Sequence, residues 1–171
     1  ELTLTTNGLL LPEMAAELKA AGVDRVNISL DTLDPEKYCR ITRGGRLEDA
    51  LAGIQAARDA GLSPLKLNCV LIGGFNDDEI PALAALTEQE PVEVRFIELM
   101  PIGDTADFGP EAYLPCEAVL ERLPRLEPAA VERAGVAERF RLPGAAGTVG
   151  LIRPLSRCFC AQCDRIRLTA D

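Results

Sequence analysis

Apolar and polar positions follow two periods along this chain, and the two take turns. Leu2-Thr3-Leu4-Thr5-Thr6 alternates with period two and predicts a strand, stopped by Asn7-Gly8. Leu11, Met14, Ala15, Leu18 and Ala21 then recur at helical spacing, with Pro12 suited to the first turn and Gly22 to the C-terminal cap. Val26 to Asp31 alternates again and predicts a second strand. Thr32 to Arg46 reads as a long polar connection with a short helix near Pro35-Glu36-Lys37. Leu47, Ala50, Leu51, Ile54 and Ala57 mark the next helix, closed by Gly61, and Leu65 to Ile72 is a third strand ended by Gly73-Gly74. Asp77 is placed to cap a further helix whose first turn tolerates Pro81, and Val92 to Met100 is a fourth strand.

Strand and helix thus alternate with a period of roughly 30–35 residues, the pattern of βαβ units in a parallel sheet or barrel. Right-handed crossovers would make all four strands parallel. After Pro101-Ile102-Gly103 the pattern changes. A loop runs to Pro115, Cys116 to Leu123 reads as a short helix, and Leu126 to Ile152 as short strands with Gly- and Pro-rich turns. The expected fold is α/β: a partial, incomplete parallel β/α barrel over residues 1–103, followed by an α+β region over 104–171. Chemistry in such barrels gathers at the C-terminal ends of the strands. Thr5, Thr6, Ser29, Asp31 and Met100 fall at such ends, whereas Lys66 lies near the start of its strand with a stem long enough to point into the lumen. Four strands do not close a barrel, so the chain reads as a fragment. It is expected to open inside a strand, to stop before its last motif finishes and, made alone, to expose a raw sheet edge.

Composition narrows the function classes. The formal net charge is −9, from 18 Lys+Arg against 27 Asp+Glu, which argues against nonspecific nucleic-acid binding. An anionic ligand must then be met by a few local cations. Histidine is absent from the 171 residues, which excludes His-based acid–base catalysis, Ser-His-Asp triads and His-ligated zinc within them. No apolar run is long enough to span a bilayer. With no secretory leader recognised, the six cysteines are read as belonging to a reducing, cytoplasmic compartment, where clustered thiols mean metal or redox chemistry more often than disulfides.

Three of those cysteines crowd into Cys158-Phe159-Cys160-Ala161-Gln162-Cys163, followed by Asp164-Arg165-Ile166-Arg167. The C-x-x-C pair Cys160/Cys163 can share one metal or cluster, or close a disulfide. Arg165 and Arg167 sit two apart and point the same way on an extended strand. A soft-metal site beside two guanidinium groups suggests a cluster next to a bound anion such as a phosphate. Two thiolates do not hold zinc or an iron–sulfur cluster alone. Cys39, Cys69 and Cys116 are isolated and read as free thiols.

Taken together, Thr5-Thr6-Asn7-Gly8, Asn27-Ile28-Ser29-Leu30-Asp31, Lys66-Leu67-Asn68, Arg95-Phe96-Ile97-Glu98-Leu99-Met100 and Phe159-Cys160-x-x-Cys163-x-Arg165-Ile166-Arg167 resemble MoaA-type GTP 3′,8-cyclases in order and approximate spacing. These are radical S-adenosylmethionine enzymes that begin molybdenum cofactor synthesis. The resemblance implies a partial barrel of the radical type in residues 1–103 and the start of an auxiliary-cluster region in 104–171. It implies two 4Fe-4S clusters and S-adenosylmethionine in the whole protein, GTP as substrate, and hydrogen abstraction by a 5′-deoxyadenosyl radical. The C-x-x-x-C-x-x-C motif that holds the first cluster does not occur in these residues.

Carried over position by position, the resemblance assigns Thr5, Lys66, Arg165, Ile166 and Arg167 to GTP, and Ser29 and Met100 to S-adenosylmethionine. It assigns Cys160 and Cys163 to the second cluster, with a third ligand beyond Asp171. Cys158 matches no family ligand. Asp164 departs from the neutral residue expected there. The implied partners are GTP, a reductant and a downstream cyclic pyranopterin monophosphate synthase, and a homodimer is allowed; neither a nucleic acid nor a membrane is expected. The fragment alone is expected to be inactive. Two other readings stay open on the residues themselves: a peptide-maturing radical enzyme with an auxiliary cluster, and a zinc-binding interaction domain on a truncated barrel.

Overall fold

The computed structural model describes residues 1–101, 108–129 and 136–157. Among these residues seven strands form one open sheet: β1 (Thr3–Thr6), β2 (Arg25–Ser29), β3 (Lys66–Leu71), β4 (Glu93–Glu98), β5 (Glu127–Pro128), β6 (Glu138–Arg141) and β7 (Thr148–Ile152). Five helices accompany them: α1 (Leu11–Ala20), α2 (Pro35–Ile41), α3 (Leu47–Asp59), α4 (Ile80–Gln89) and α5 (Glu117–Arg122). The spatial order is β1-β2-β3-β4-β7-β6-β5. β1 to β4 run parallel, as the crossover rule requires, and β7 adds a fifth parallel strand on β4. β6 and β5 then continue antiparallel. β5, β6 and β7 thus extend the same sheet. Among the described residues, no helix is long and apolar enough to cross a membrane.

Local chemistry accounts for the boundaries. Asp34 caps α2 by accepting hydrogen bonds from the Glu36 and Lys37 amides at 2.8 and 3.0 Å, and Pro35 fills the first helical position. Pro81 sits in the first turn of α4, as expected. Asp77 does not cap that helix. Asp77–Glu79 forms a separate 3-10 turn, and the Asp77 carboxylate is committed to the Gly74 amide at 2.8 Å and to Arg122 at 2.8 Å. Short-range acidity marked the right place but not the partner.

The alternation along the strands sorts side chains onto two faces. Val26, Ile28, Leu67, Cys69, Leu71, Val94, Phe96, Val149 and Leu151 join Leu11, Ala15, Ala50, Ala57, Leu83 and Val119 in one apolar core. Each fully buried Leu, Ile, Val or Phe there is worth about 1.5–3 kcal/mol. α3 meets the turn after β1 with no room to spare. A Cβ built on Gly53 would lie 2.1 Å from the Gly8 carbonyl oxygen, and Gly8 itself holds φ +85°. That contact fixes the Thr6–Gly8 turn, where the Thr6 hydroxyl also accepts from the Gly8 amide at 3.1 Å. The opposite face carries the polar residues Thr5, Asn27, Ser29, Lys66, Asn68, Glu93 and Arg95, with Val70, Ile97 and Ile152 towards the C-terminal ends of β3, β4 and β7.

Candidate functional site

The parallel register lines up the polar face in rows that cross the sheet. One row reads Thr5, Asn27, Lys66, Glu93 and Thr148; the next reads Ser29, Asn68, Arg95 and Gly150, with Arg139 beside Gly150 on β6. Thr5, Ser29 and Lys66 therefore share one face of neighbouring strands. Thr5 and Ser29 are exposed near the C-terminal ends of β1 and β2, whereas Lys66 is the first residue of β3 and is buried. Met100 lies two residues past β4, 39% exposed, at the end of the sheet where Ser29 ends its strand. Cys158, Cys160, Cys163, Arg165, Ile166 and Arg167 lie outside the described residues.

A cluster of charge occupies the centre of this face. The Glu93 carboxylate meets Arg95 Nε at 2.6 Å, Arg139 Nε at 3.2 Å and Lys66 Nζ at 3.9 Å. Arg25, on the neighbouring strand, pairs with Glu1 at 2.6 Å and donates to the Asn27 side-chain oxygen at 3.3 Å; Asn27 in turn donates to the Thr5 hydroxyl at 3.2 Å. Arg25, Lys66, Arg95 and Arg139 are four cations set against two carboxylates, Glu93 and Glu1. Between Ser29 and Arg95, the buried Oδ1 of Asn68 has no hydrogen-bond partner.

Electrostatics follow from that crowding. Burial, reinforced by the guanidinium of Arg95 and only partly opposed by Glu93, pulls the Lys66 ammonium down to about 8. Burial works against the Glu93 charge, but Arg95, Lys66 and Arg139 outweigh it and hold that carboxyl below its ordinary range. An excess of cations on one face makes the potential there favourable to an anion.

Gly150 keeps this cluster open. A Cβ there would lie 3.2 Å from Arg95 Cγ and 3.3 Å from Glu93 Oε1. Sequence reasoning missed Glu93, Arg25, Arg139 and the orphaned Asn68 oxygen, and gave Arg95 no role of its own. The signal available was the polar alternation Glu93-x-Arg95 and Arg25-x-Asn27 within strands, but nothing local says that these side chains meet.

Residues 1–87, just over half of the chain, match the family model described as the radical SAM superfamily. The chain belongs to that superfamily. Residues 92–171 match a second family, described as Molybdenum Cofactor Synthesis C, so β4 to β7 fall within that match. Among curated proteins, one from Peptoclostridium acidaminophilum named GTP 3′,8-cyclase is 55% identical over 173 residues, covering all of this chain and 53% of its own length. Proteins of the same name from Alkaliphilus oremlandii and Pelotomaculum thermopropionicum are 49% and 51% identical, with 53% and 54% of their lengths covered. The chain thus spans about half the length of the curated relatives it matches.

Membership of the radical SAM superfamily implies a 4Fe-4S cluster and S-adenosylmethionine, and the cysteines can be tested as ligands. Among the described residues no group of three or more Cys, Asp or Glu is arranged to hold a metal ion. Cys69 and Cys116 are buried free thiols and Cys39 is an exposed one. Burial pushes the Cys116 thiol up to about 12 and raises Cys69 well above the ordinary range, so both are neutral thiols as they stand. Cys158, Cys160 and Cys163, of the donor type that iron–sulfur clusters take, lie outside the described residues.

Proposed function

We propose that this chain is the substrate-binding part of a GTP 3′,8-cyclase, a lyase converting GTP to (8S)-3′,8-cyclo-7,8-dihydroguanosine 5′-triphosphate at the start of molybdenum cofactor synthesis. The observation that carries the proposal is the cluster of Lys66, Arg95 and Arg139 around Glu93, with Arg25 on the same face as Thr5 and Ser29, in a chain of net charge −9. An acidic protein that gathers one buried and three partly buried cations at one place is equipped for a polyanion. The names of the relatives support GTP as that polyanion.

Within this reading Lys66 and the arginines hold the triphosphate, joined by Arg165 and Arg167, with Ile166 on the same segment. Thr5, oriented by Asn27, contacts the nucleotide from β1. Ser29 and Met100 hold S-adenosylmethionine at the C-terminal end of the strands. Cys160 and Cys163 would be two ligands of a second 4Fe-4S cluster. When bound, the clusters and S-adenosylmethionine supply one-electron cleavage chemistry and hydrogen abstraction from the ribose. The chain's own residues fix the nucleotide so that its ribose and base meet, and they exclude water from the reacting atoms.

Residues 1–103 and 104–171 divide this labour while sharing one sheet through β4 and β7. A cytoplasmic enzyme drawing electrons from a reductant, acting as a homodimer and passing its product towards cyclic pyranopterin monophosphate synthase completes the reading. The test is anaerobic reconstitution of the full-length protein with S-adenosylmethionine, reductant and GTP. Release of 5′-deoxyadenosine together with GTP consumption is expected; neither appearing would defeat the proposal.

A further inference from the structure

The polar row that crosses β2, β3, β4 and β7 reads Ser29, Asn68, Arg95 and Gly150. In the neighbouring row the polar side chains are engaged. Asn27 donates to the Thr5 hydroxyl at 3.2 Å and accepts from Arg25 at 3.3 Å, and Glu93 meets Arg95, Arg139 and Lys66. Asn68 differs: its Oδ1 is buried and has no hydrogen-bond partner. Among the described residues it is the one buried side-chain acceptor in that condition. The other unpaired buried atom, Arg153 Nε, belongs to a guanidinium that meets Glu117 at 2.9 Å and Glu138 at 3.4 Å through its remaining nitrogens. An unpaired buried acceptor is costly, and an apolar group of the same shape would avoid that cost.

The surroundings of Asn68 say what its partner must be. An amide oxygen only accepts, so the partner brings an O–H or an N–H. A phosphate that offsets Lys66, Arg95 and Arg139 is itself chiefly an acceptor and does not serve. A cationic donor is repelled by those same side chains. What fits is a neutral hydroxyl close to the anion that the cations take. Asn68 stands two residues beyond Lys66 on β3, about 6.6 Å along the strand towards its C-terminal end. A sugar bonded to a phosphate at Lys66 reaches that far, and in a nucleotide the sugar, not the base, carries the phosphate. The row is open on both sides: Ser29 is exposed on the next strand, and Gly150, past Arg95, adds no side chain.

We propose that Asn68 is a further ligand-binding residue: its Oδ1 accepts a hydrogen bond from a ribose hydroxyl held between Ser29 and Arg95. This rests on the reading above that the cations of this face take the phosphates of GTP. Both GTP and S-adenosylmethionine carry ribose, and the two are told apart by the test.

The test is calorimetric titration of the full-length, anaerobically reconstituted protein and its Asn68→Leu and Asn68→Asp variants. One arm compares GTP with 2′-deoxy-GTP and 3′-deoxy-GTP. The other compares S-adenosylhomocysteine with its 2′-deoxy and 3′-deoxy forms. In wild-type protein one deoxy compound is expected to bind about tenfold more weakly than its parent, because the missing hydroxyl leaves the buried oxygen unpaired. That preference should vanish in Asn68→Leu. Asn68→Asp keeps an acceptor and should retain it, whatever the added charge does to absolute affinity. A loss of stability alone would not move the ratio between parent and deoxy compound. Asn68→Ala takes the place of Asn68→Leu if the latter does not fold. A preference that vanishes in the GTP arm supports the inference with the substrate as source; one that vanishes in the other arm supports it with S-adenosylmethionine as source. No preference in wild-type protein, or the same preference in Asn68→Leu, would overturn the inference while leaving the proposed function standing. No binding of GTP to wild-type protein would overturn both.

Discussion

Lys66 and Glu93 are register partners on neighbouring parallel strands, and their charged atoms stop 3.9 Å apart with side chains only 8% and 9% exposed. The distance is long for an ion pair because Glu93 is already engaged by Arg95 and Arg139 at 2.6 and 3.2 Å. Lys66 is left as the least satisfied cation of the four. That leaves it the most ready to exchange a weak partner for a stronger one.

The pH dependence of nucleotide binding follows from this. Free Lys66 sits at about 8, lowered chiefly by burial, and a bound triphosphate would raise it. A group that gains a proton on binding favours the complex at low pH. Affinity for GTP should therefore be level below about pH 8 and weaken as pH rises through it. Calorimetric titration of full-length protein across neutral to alkaline pH checks this. Lys66→Arg, charged throughout, should remove the inflection, and Lys66→Met should bind about tenfold or more weakly at neutral pH.

Glu93→Gln tests the other partner. It leaves Arg95, Arg139 and Lys66 without their shared carboxylate, and uncompensated buried charge costs about 3–5 kcal/mol. Tm should fall by several degrees without nucleotide and recover much of the loss when inorganic triphosphate is added. The wild-type carboxyl is held below its ordinary range, so its contribution is present above that range and lost as pH falls through the depressed value. The variant should lack that acid-side loss. Thermal shift with and without triphosphate, repeated at acid pH, reads both effects.

How much of this was legible beforehand differs from element to element. β1 to β4 were readable because their period-two alternation contrasts with the helical spacing of Leu47, Ala50 and Ile54, and because Gly and Pro mark the ends. The observed strands are shorter than the alternating runs: Leu30 and Asp31 alternate with β2 yet lie past its end. β7 was foreseeable as a strand but not as a neighbour of β4, since register across some fifty residues leaves no local trace. The charge cluster fared likewise. Lys66, Thr5 and Ser29 were picked out by resemblance, whereas Arg25, Arg95 and Arg139 looked like ordinary strand charges until Glu93 drew two of them to one point.

Gly150→Val probes the space the cluster needs. A side chain there lies against Arg95 Cγ and Glu93 Oε1, both at contact distances that must give way. The β-branched residue suits a strand, so the fold should be retained. Arg95 should be displaced and GTP affinity should drop by about tenfold, the worth of one charge-assisted contact. Far-ultraviolet circular dichroism together with calorimetric titration separates the two expectations. An unchanged Kd would mean that Arg95 does not serve the anion.

Gly53→Ala acts from the opposite face of the sheet. The new methyl would stand 2.1 Å from the Gly8 carbonyl oxygen, well inside any tolerable contact, and that oxygen belongs to backbone that accepts from the Leu11 amide at 3.0 Å. Relief requires α3 to move away from the turn after β1, or the turn to move towards the polar face that carries Thr5. Alanine gains up to about 1 kcal/mol of helix propensity over glycine, but overpacking of this kind costs about 1–3 kcal/mol or more. The net effect should be a Tm lower by several degrees, measured by calorimetry on the full-length protein. Because the strain falls on the Thr6–Gly8 turn, GTP affinity should fall along with stability, whereas a core substitution remote from that turn and of equal Tm cost should leave affinity unchanged.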